Sequence, residues 1–376
     1  MPDDEHLPVA HVYGRELPDE DIVVPEVRQP TLPVRLVLLV LSIGLFVTAL
    51  GLMKAGAAEL IPTLEGSVFT DNAWSTLGVG WLGACIVLSG SPVAASSLTL
   101  LDGGAITRTQ AFTMLTGSRL GAAFVVLVVG VVYALRNRGT SGRRAPISIG
   151  ILSLTMTAVA YVPGSILGYL LLERGTLDDF DIGTSPSLTS ATDTLFGWAP
   201  DLLREVLPGW TLFPIGVLVL LAGFQLFDTV MPSVGSERLE HRPGAWYTRT
   251  WPMFLVGCAV TFLTLSVAVS LTLLVPLVAS GRLRRANTLP YIAGANITTL
   301  ADTLVAAILL GNQDAVRVVV AVTIGVTTWT LLLLAVGYPF LRSFCLRLAR
   351  TALASQRRLA AFALALLGVP LLLIAV

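Results

Sequence analysis

Long apolar runs separated by short charged stretches dominate the chain. Each holds roughly 18 to 26 residues, enough for a helix to cross a bilayer, which takes about 20. They fall near residues 34–54, 110–135, 147–172, 210–231, 289–310, 316–341 and 359–376. Two further runs, 76–101 and 251–280, are apolar but interrupted. The first breaks at Ser89-Gly90-Ser91-Pro92, and the second carries hydroxyls at Thr261, Thr264, Ser266, Ser270 and Thr272. Glycine, serine and proline inside a membrane segment suit a re-entrant turn or broken helix, provided protein covers the freed backbone groups. The pattern predicts an all-α membrane protein of about eight full spans plus two re-entrant segments.

Composition agrees. The chain is 54% hydrophobic and 13% charged, with a mean hydropathy of +0.79, whereas a soluble domain carries about 25% charged residues. Zero net charge argues against nucleic acid as a partner. Cys85, Cys258 and Cys345 lie in or beside apolar stretches without metal-ligand spacing, so buried free thiols are expected. The first 33 residues are acidic, proline-rich and lack an apolar signal region, so they read as a disordered tail.

Charge sets the expected sidedness. Arg28 and Arg35 before the first span place the N-terminus in the cytoplasm, as do Arg136, Arg138, Arg143 and Arg144 for the loop after 110–135. Glu59, Glu65 and Asp71 suit the outside, and so does the acidic loop holding Asp178, Asp181 and Asp193, with Trp198 and Trp210 at its interface. Basic residues flank 251–280 on both sides, at Arg242 and Arg249 and again at Arg282, Arg284 and Arg285. That segment is therefore expected to enter and leave on the cytoplasmic side, and 76–101 on the outer one. Arg317, at an outer end, runs against the scheme. The order span, interrupted segment, span, span then occurs twice with opposite orientation. Such an inverted repeat with discontinuous helices is how many secondary transporters build a site at the midplane.

The chemistry concentrates at those interruptions. Helix N-termini turned into the membrane suit an anion, while exposed carbonyls and hydroxyls suit a small hard cation. The candidates are Ser89, Ser91 and Ser118 in the first half, and Thr264, Ser266, Ser270, Asn296, Thr298 and Thr299 in the second. Hydroxyls also permit close helix packing in lipid, which is the plainer explanation for any one of them. Charges inside a span are sharper signals because each is costly there. Arg119 has the planar donor fork to clamp an oxyanion, and Asp302 the carboxylate to hold a cation or a proton; alternatively, the two pair and lock the halves together. Asp228 and Lys54, near span ends, are expected to snorkel to the interface. Gly78-Val79-Gly80-Trp81-Leu82-Gly83 fits a dinucleotide pattern, but without a surrounding strand it reads as helix packing. The spans hold no catalytic triad or metal cluster, so neither an enzyme nor a cofactor is expected.

At Gly294-Ala295-Asn296-Ile297-Thr298-Thr299 the sequence resembles the sodium/phosphate cotransporter family, the type II group and its bacterial relatives. That family carries two inverted copies of a QSSS signature, each followed by a GANIGTT-like stretch. Leu265-Ser266 stands in the second QSSS position and Ser89-Gly90-Ser91-Pro92 in the first, with Gly117-Ser118-Arg119-Leu120-Gly121 in place of the first GANIG. The motifs are degenerate. Leu265 and Ser89 replace the glutamines, Arg119 the first asparagine, and Thr298 a glycine. The resemblance, over 34–341, implies a symporter of inorganic phosphate or a similar small anion working by alternating access. Sodium is the candidate coupling ion, with Ser266, Asn296 and Asp302 as its candidate ligands.

The expected organisation is a cytoplasmic tail (1–33), a first transmembrane repeat (34–172), an external loop (173–208), a second repeat (209–341), and a basic loop with a final span (342–376). The expected place is the cell membrane, with lipid around the spans and the oligomeric state left open. The runner-up is a non-transporting or regulatory membrane homologue whose site has decayed.

Overall fold

A computed structural model describes residues 31–376 apart from 65, 137–143, 180–196, 231–248 and 280–282. The tail expectation and those resting on Glu65, Arg138, Arg143, Asp181, Asp193, Arg242 and Arg282 lie outside the described residues. All regular structure among the described residues is helical. Seven helical stretches there are long and apolar enough to cross a membrane: Leu32–Leu64, Arg108–Arg136, Ala145–Glu173, Gly209–Val230, Arg285–Leu310, Gln313–Ala335 and Gln356–Ala375. They correspond to the seven uninterrupted apolar runs of the sequence, one fewer than the expected total of about eight. The protein is an all-α, multi-pass membrane protein.

The first half comprises α1 (Leu32–Leu64), α2 (Ala73–Val87), α3 (Ser91–Asp102), α4 (Arg108–Ala122), α5 (Phe124–Arg136) and α6 (Arg144–Glu173). A short α7 (Trp198–Arg204) precedes α8 (Leu212–Val230). The second half continues with α9 (Thr250–Thr264), α10 (Val267–Thr272), α11 (Leu274–Ala279), α12 (Arg285–Thr298), α13 (Leu300–Leu310) and α14 (Gln313–Ala335). Two helices close the chain, α15 (Tyr338–Leu353) and α16 (Gln356–Ala375).

Both interrupted segments are broken where the sequence breaks. Leu88 ends α2 with φ 56° and Leu265 ends α9 with φ 47°, the two non-glycine residues with positive φ among those described. A left-handed leucine costs roughly 1–2 kcal/mol, so the surrounding packing must hold both breaks in place.

That packing is backbone against backbone. A Cβ on Gly80 would meet the Met114 carbonyl oxygen at 2.0 Å, and one on Gly117 the Leu77 oxygen at 2.1 Å. Gly257 stands in the same relation to Tyr291 at 2.1 Å, and Gly294 to Phe254 at 2.2 Å. Small residues at such crossings let membrane helices approach closely. Thr76 meets Thr113 and, further along, Cys85 meets the Gly121 carbonyl, so α2 runs parallel to α4. Thr250 and Ala286 both meet Tyr338 and, further along, Cys258 meets Thr298, so α9 runs parallel to α12. One constant offset relates Gly80 to Gly257, Leu88 to Leu265, Gly117 to Gly294 and Arg119 to Asn296.

Because α2 and α4 start at the same end, and α3 leads into α4 through a short turn, the α2–α3 segment enters and returns at that end. Thr76 and Thr113 join hydroxyls there at 2.8 Å, and Gln110 donates to the Thr70 carbonyl at 2.7 Å. The same end gathers Lys54 on Asp102 at 2.9 Å, Asn312 on Asp102 at 2.8 Å, and Arg108 on Asp314 at 2.5 Å. Arg317, the charge that ran against the topology, sits 3.3 Å from Asp314 and donates to the Asp178 carbonyl. The start of α12 lies at the other end, where Tyr338 donates to the Ala286 carbonyl at 3.2 Å. The parallel α9 starts there too.

Two boundaries differ from expectation. The span expected to end near 341 stops at Ala335, and the expected basic loop after 342 is largely the helix α15. Leu341, Cys345, Ala349 and Ala352 recur at helical spacing as its buried stripe, and Arg342, Arg347 and Arg350 are exposed.

Candidate functional site

The two breaks face one small cavity. Ser89, Gly90 and Ser91 line it from the first half, and Leu265, Ser266 and Val267 from the second, with Arg119, Thr299, Phe224 and Asp228 completing the wall. Its volume is about 30 Å³, above the roughly 10–15 Å³ that a cavity needs to hold a water.

Four helix ends meet there. The N-termini of α3 and α10 bring the first-turn N–H groups and the positive ends of their dipoles. The C-termini of α2 and α9 bring carbonyls of opposite polarity. Ser266 caps α10, its hydroxyl accepting from the Val269 amide at 3.3 Å. The spans that carry Arg119 and Thr299 are themselves interrupted, between α4 and α5 at Ala123 and between α12 and α13 at Thr299.

Arg119 is buried and bridges the halves. Its Nη1 donates to the Thr299 hydroxyl at 3.0 Å, and its Nη2 to Asp302 Oδ1 at 3.4 Å and to the Thr303 hydroxyl. Thr303 in turn donates to Asp302 Oδ1 at 2.8 Å. Two atoms stay buried without a partner, Arg119 Nε and Asp302 Oδ2. One orphan donor and one orphan acceptor therefore remain in an otherwise satisfied network. Asp302 does not line the polar cavity. It faces an apolar recess beside Phe46, Phe224, Phe262 and Leu265.

The remaining candidates divide. Asn296 is buried against α6, its Nδ2 donating to Thr157 at 3.0 Å while Tyr161 donates to its carbonyl at 2.8 Å. Ser270 sits between Thr261 at 2.7 Å and Tyr291 at 2.9 Å, and Ser118 is bonded to the Leu115 carbonyl at 2.7 Å. Thr264 and Thr298 likewise return their hydroxyls to their own helices, at 2.9 and 3.0 Å. The structure thus brings Ser89, Ser91, Arg119, Ser266 and Thr299 to one cavity and leaves Ser118, Thr264, Ser270, Asn296, Thr298 and Asp302 off it. Of Ser266, Asn296 and Asp302, only Ser266 lines it. The described residues hold no group of three or more His, Cys, Asp or Glu side chains placed to ligate a metal.

Two features escaped the sequence reading. Asp228, expected to snorkel, lines the cavity from α8, one helical turn beyond Phe224. Thr157 and Tyr161, which hold Asn296, sit in α6 without a distinguishing motif. An acid four residues after an aromatic near a span end was the available signal for Asp228. The dinucleotide-like glycines are packing positions, with Gly78 against the Pro370 carbonyl and Gly80 against α4.

No curated protein and no solved structure matches the chain. A family model does, the one described as Na+/Pi-cotransporter, over residues 219–376. That stretch contains α9 to α14 and with them Ser266, Asn296, Thr299 and Asp302. Over residues 219–376, somewhat under half of its length, the chain is thus similar to the sodium/phosphate cotransporter family, a family of transporters.

Proposed function

We propose that the protein is a secondary active transporter of a small inorganic anion, with sodium-coupled phosphate symport as the specific reaction. It would act in the cell membrane with its N-terminus in the cytoplasm. The observation that carries this reading is the convergence of Arg119 and the N-termini of α3 and α10 on one polar cavity. Fixed guanidinium donors and helix-end N–H groups are what an oxyanion requires. The carbonyl ends of α2 and α9, the serine hydroxyls and the Asp228 carboxylate supply acceptors for a coupling cation.

The two halves are read as inverted copies. The constant offset linking glycines, left-handed leucines and Arg119 with Asn296 supports this, as do hairpins that open at opposite ends. Alternating access is then a movement of one half against the other around the cavity. Radiolabelled phosphate uptake into proteoliposomes is the test. Accumulation that requires an inward sodium gradient supports symport. Uptake no faster than in empty liposomes, with other oxyanions equally inert, would sink it.

A second reading, a homologue that no longer transports, draws on the buried Arg119–Asp302 pair and on the cavity's small size. The same uptake experiment separates the two.

A further inference from the structure

A larger apolar groove, of about 480 Å³, opens between α2, α6, α15 and α16. Trp81, Leu154, Phe344, Leu348, Phe362 and Leu366 are among the side chains that line it. The volume falls within the ~300–1,000 Å³ typical of built ligand sites. Its walls run from α15 down α6 as far as Pro163 and down α16 as far as Val369. The cleft is therefore elongated, following the helices into the membrane, with its mouth at the amphipathic helix α15.

In a bilayer an apolar cleft gives no preference by itself, because lipid tails are as apolar as its walls. The mouth gives one. From Val316 to Val376 the chain has no Asp or Glu, while Arg342, Arg347, Arg350, Arg357 and Arg358 are all exposed. None of these five forms an ion pair with a described residue. Two neighbour groove-lining positions by helical spacing. Arg358 precedes Phe362, Ala365 and Leu366 by four, seven and eight residues, so it lies on the groove-lining face of α16, one turn nearer the mouth. Arg347 follows Phe344 by three residues and adjoins Leu348 on α15. Arg350 lies on another side of the same helix.

We propose that this groove is a binding site for an anionic phospholipid, one acyl chain in the cleft and the phosphate on Arg347 and Arg358. Arginine suits the task because its planar fork meets phosphate oxygens in pairs. Trp81 and Leu120 form part of the wall and belong to the α2–α4 pair that carries Arg119. A seated lipid would thus brace the face of that pair turned away from the cavity. The inference does not depend on which anion is transported, or on whether one is.

The test uses the full chain in phosphatidylcholine nanodiscs titrated with phosphatidylglycerol brominated on its acyl chains. Quenching of Trp81 is read as the difference from Trp81→Phe, with Val369→Trp as a second reporter should that variant not fold. Quenching is expected at low mole fractions of phosphatidylglycerol, and brominated phosphatidylcholine should require far more. Arg347→Gln with Arg358→Gln should move the midpoint about 30-fold, from roughly fivefold for each arginine near an anionic headgroup. Arg350→Gln should leave it in place. Equal quenching by both lipids would reduce the groove to ordinary annular lipid and overturn the proposal. So would an unmoved midpoint in the double variant. Absent quenching together with a cross-linked dimer would assign the groove to a second copy of the chain, which also overturns it.

Discussion

Arg119 and Asp302, brought together from opposite halves of the chain, form an ion pair with Nη2 3.4 Å from Oδ1 and both side chains almost wholly buried. Arg119 also lines the polar cavity, so one guanidinium links the structural lock to the candidate site.

Removing one partner leaves the other charge buried and uncompensated, at a cost of about 3–5 kcal/mol. Arg119→Gln and Asp302→Asn are therefore each expected to lower the melting temperature in detergent markedly, and the double variant by much less than the two effects added. Strict additivity would mean that the pair contributes nothing as a unit. Uptake separates the roles. If Arg119 also holds the anion, Arg119→Gln abolishes transport at normal expression, and the better-folded double variant does not recover it.

Asp228 has no ion-pair partner among the described residues, although it lines the cavity. Charge within a span persists where it has a function. Asp228→Asn is expected to leave anion exchange intact and to remove the dependence of net uptake on the cation gradient. Parallel measurements with sodium-only and proton-only gradients identify the coupling ion. Unchanged gradient dependence would return Asp228 to the interfacial role assigned by sequence.

The glycine crossings should be equivalent in the two halves. Gly80→Ala and Gly257→Ala each place a methyl about 2 Å from a carbonyl oxygen. Each is expected to cost about 1–3 kcal/mol by overpacking, read as a lower melting temperature. A tolerated alanine at either position would mean that the helices can separate there without penalty.

Sidedness can be read by thiol labelling. Cys345 is buried in α15, outside the spanning helices, and burial pushes its thiol up to about 12. The neutral thiol then dominates at pH 7 to 8, so the residue is expected to stay silent to maleimide throughout that range. Against that background, Asp179→Cys should label only from outside and Gln356→Cys only from the cytoplasm. Labelling of both from one face would break the topology.

The sequence by itself determined that the chain lives in a bilayer, where its spans lie, and where two apolar segments break. Each of these follows from residues within a helical turn or two. Ser89-Gly90-Ser91-Pro92 cannot continue a helix smoothly, and about 20 apolar residues span lipid wherever they occur. The Asn296 stretch carried the family resemblance for the same local reason. Only the tertiary structure decided which candidates meet. Asn296, the most recognisable, turned out to be held by Thr157 and Tyr161 of α6, while Asp228, dismissed on position, faces the cavity. The reason is geometric. Which side chains share a cavity depends on the register of helices far apart in sequence, set here where Gly80 meets Met114 and Gly257 meets Tyr291. No local pattern encodes how far one backbone slides along another before its glycines meet a carbonyl.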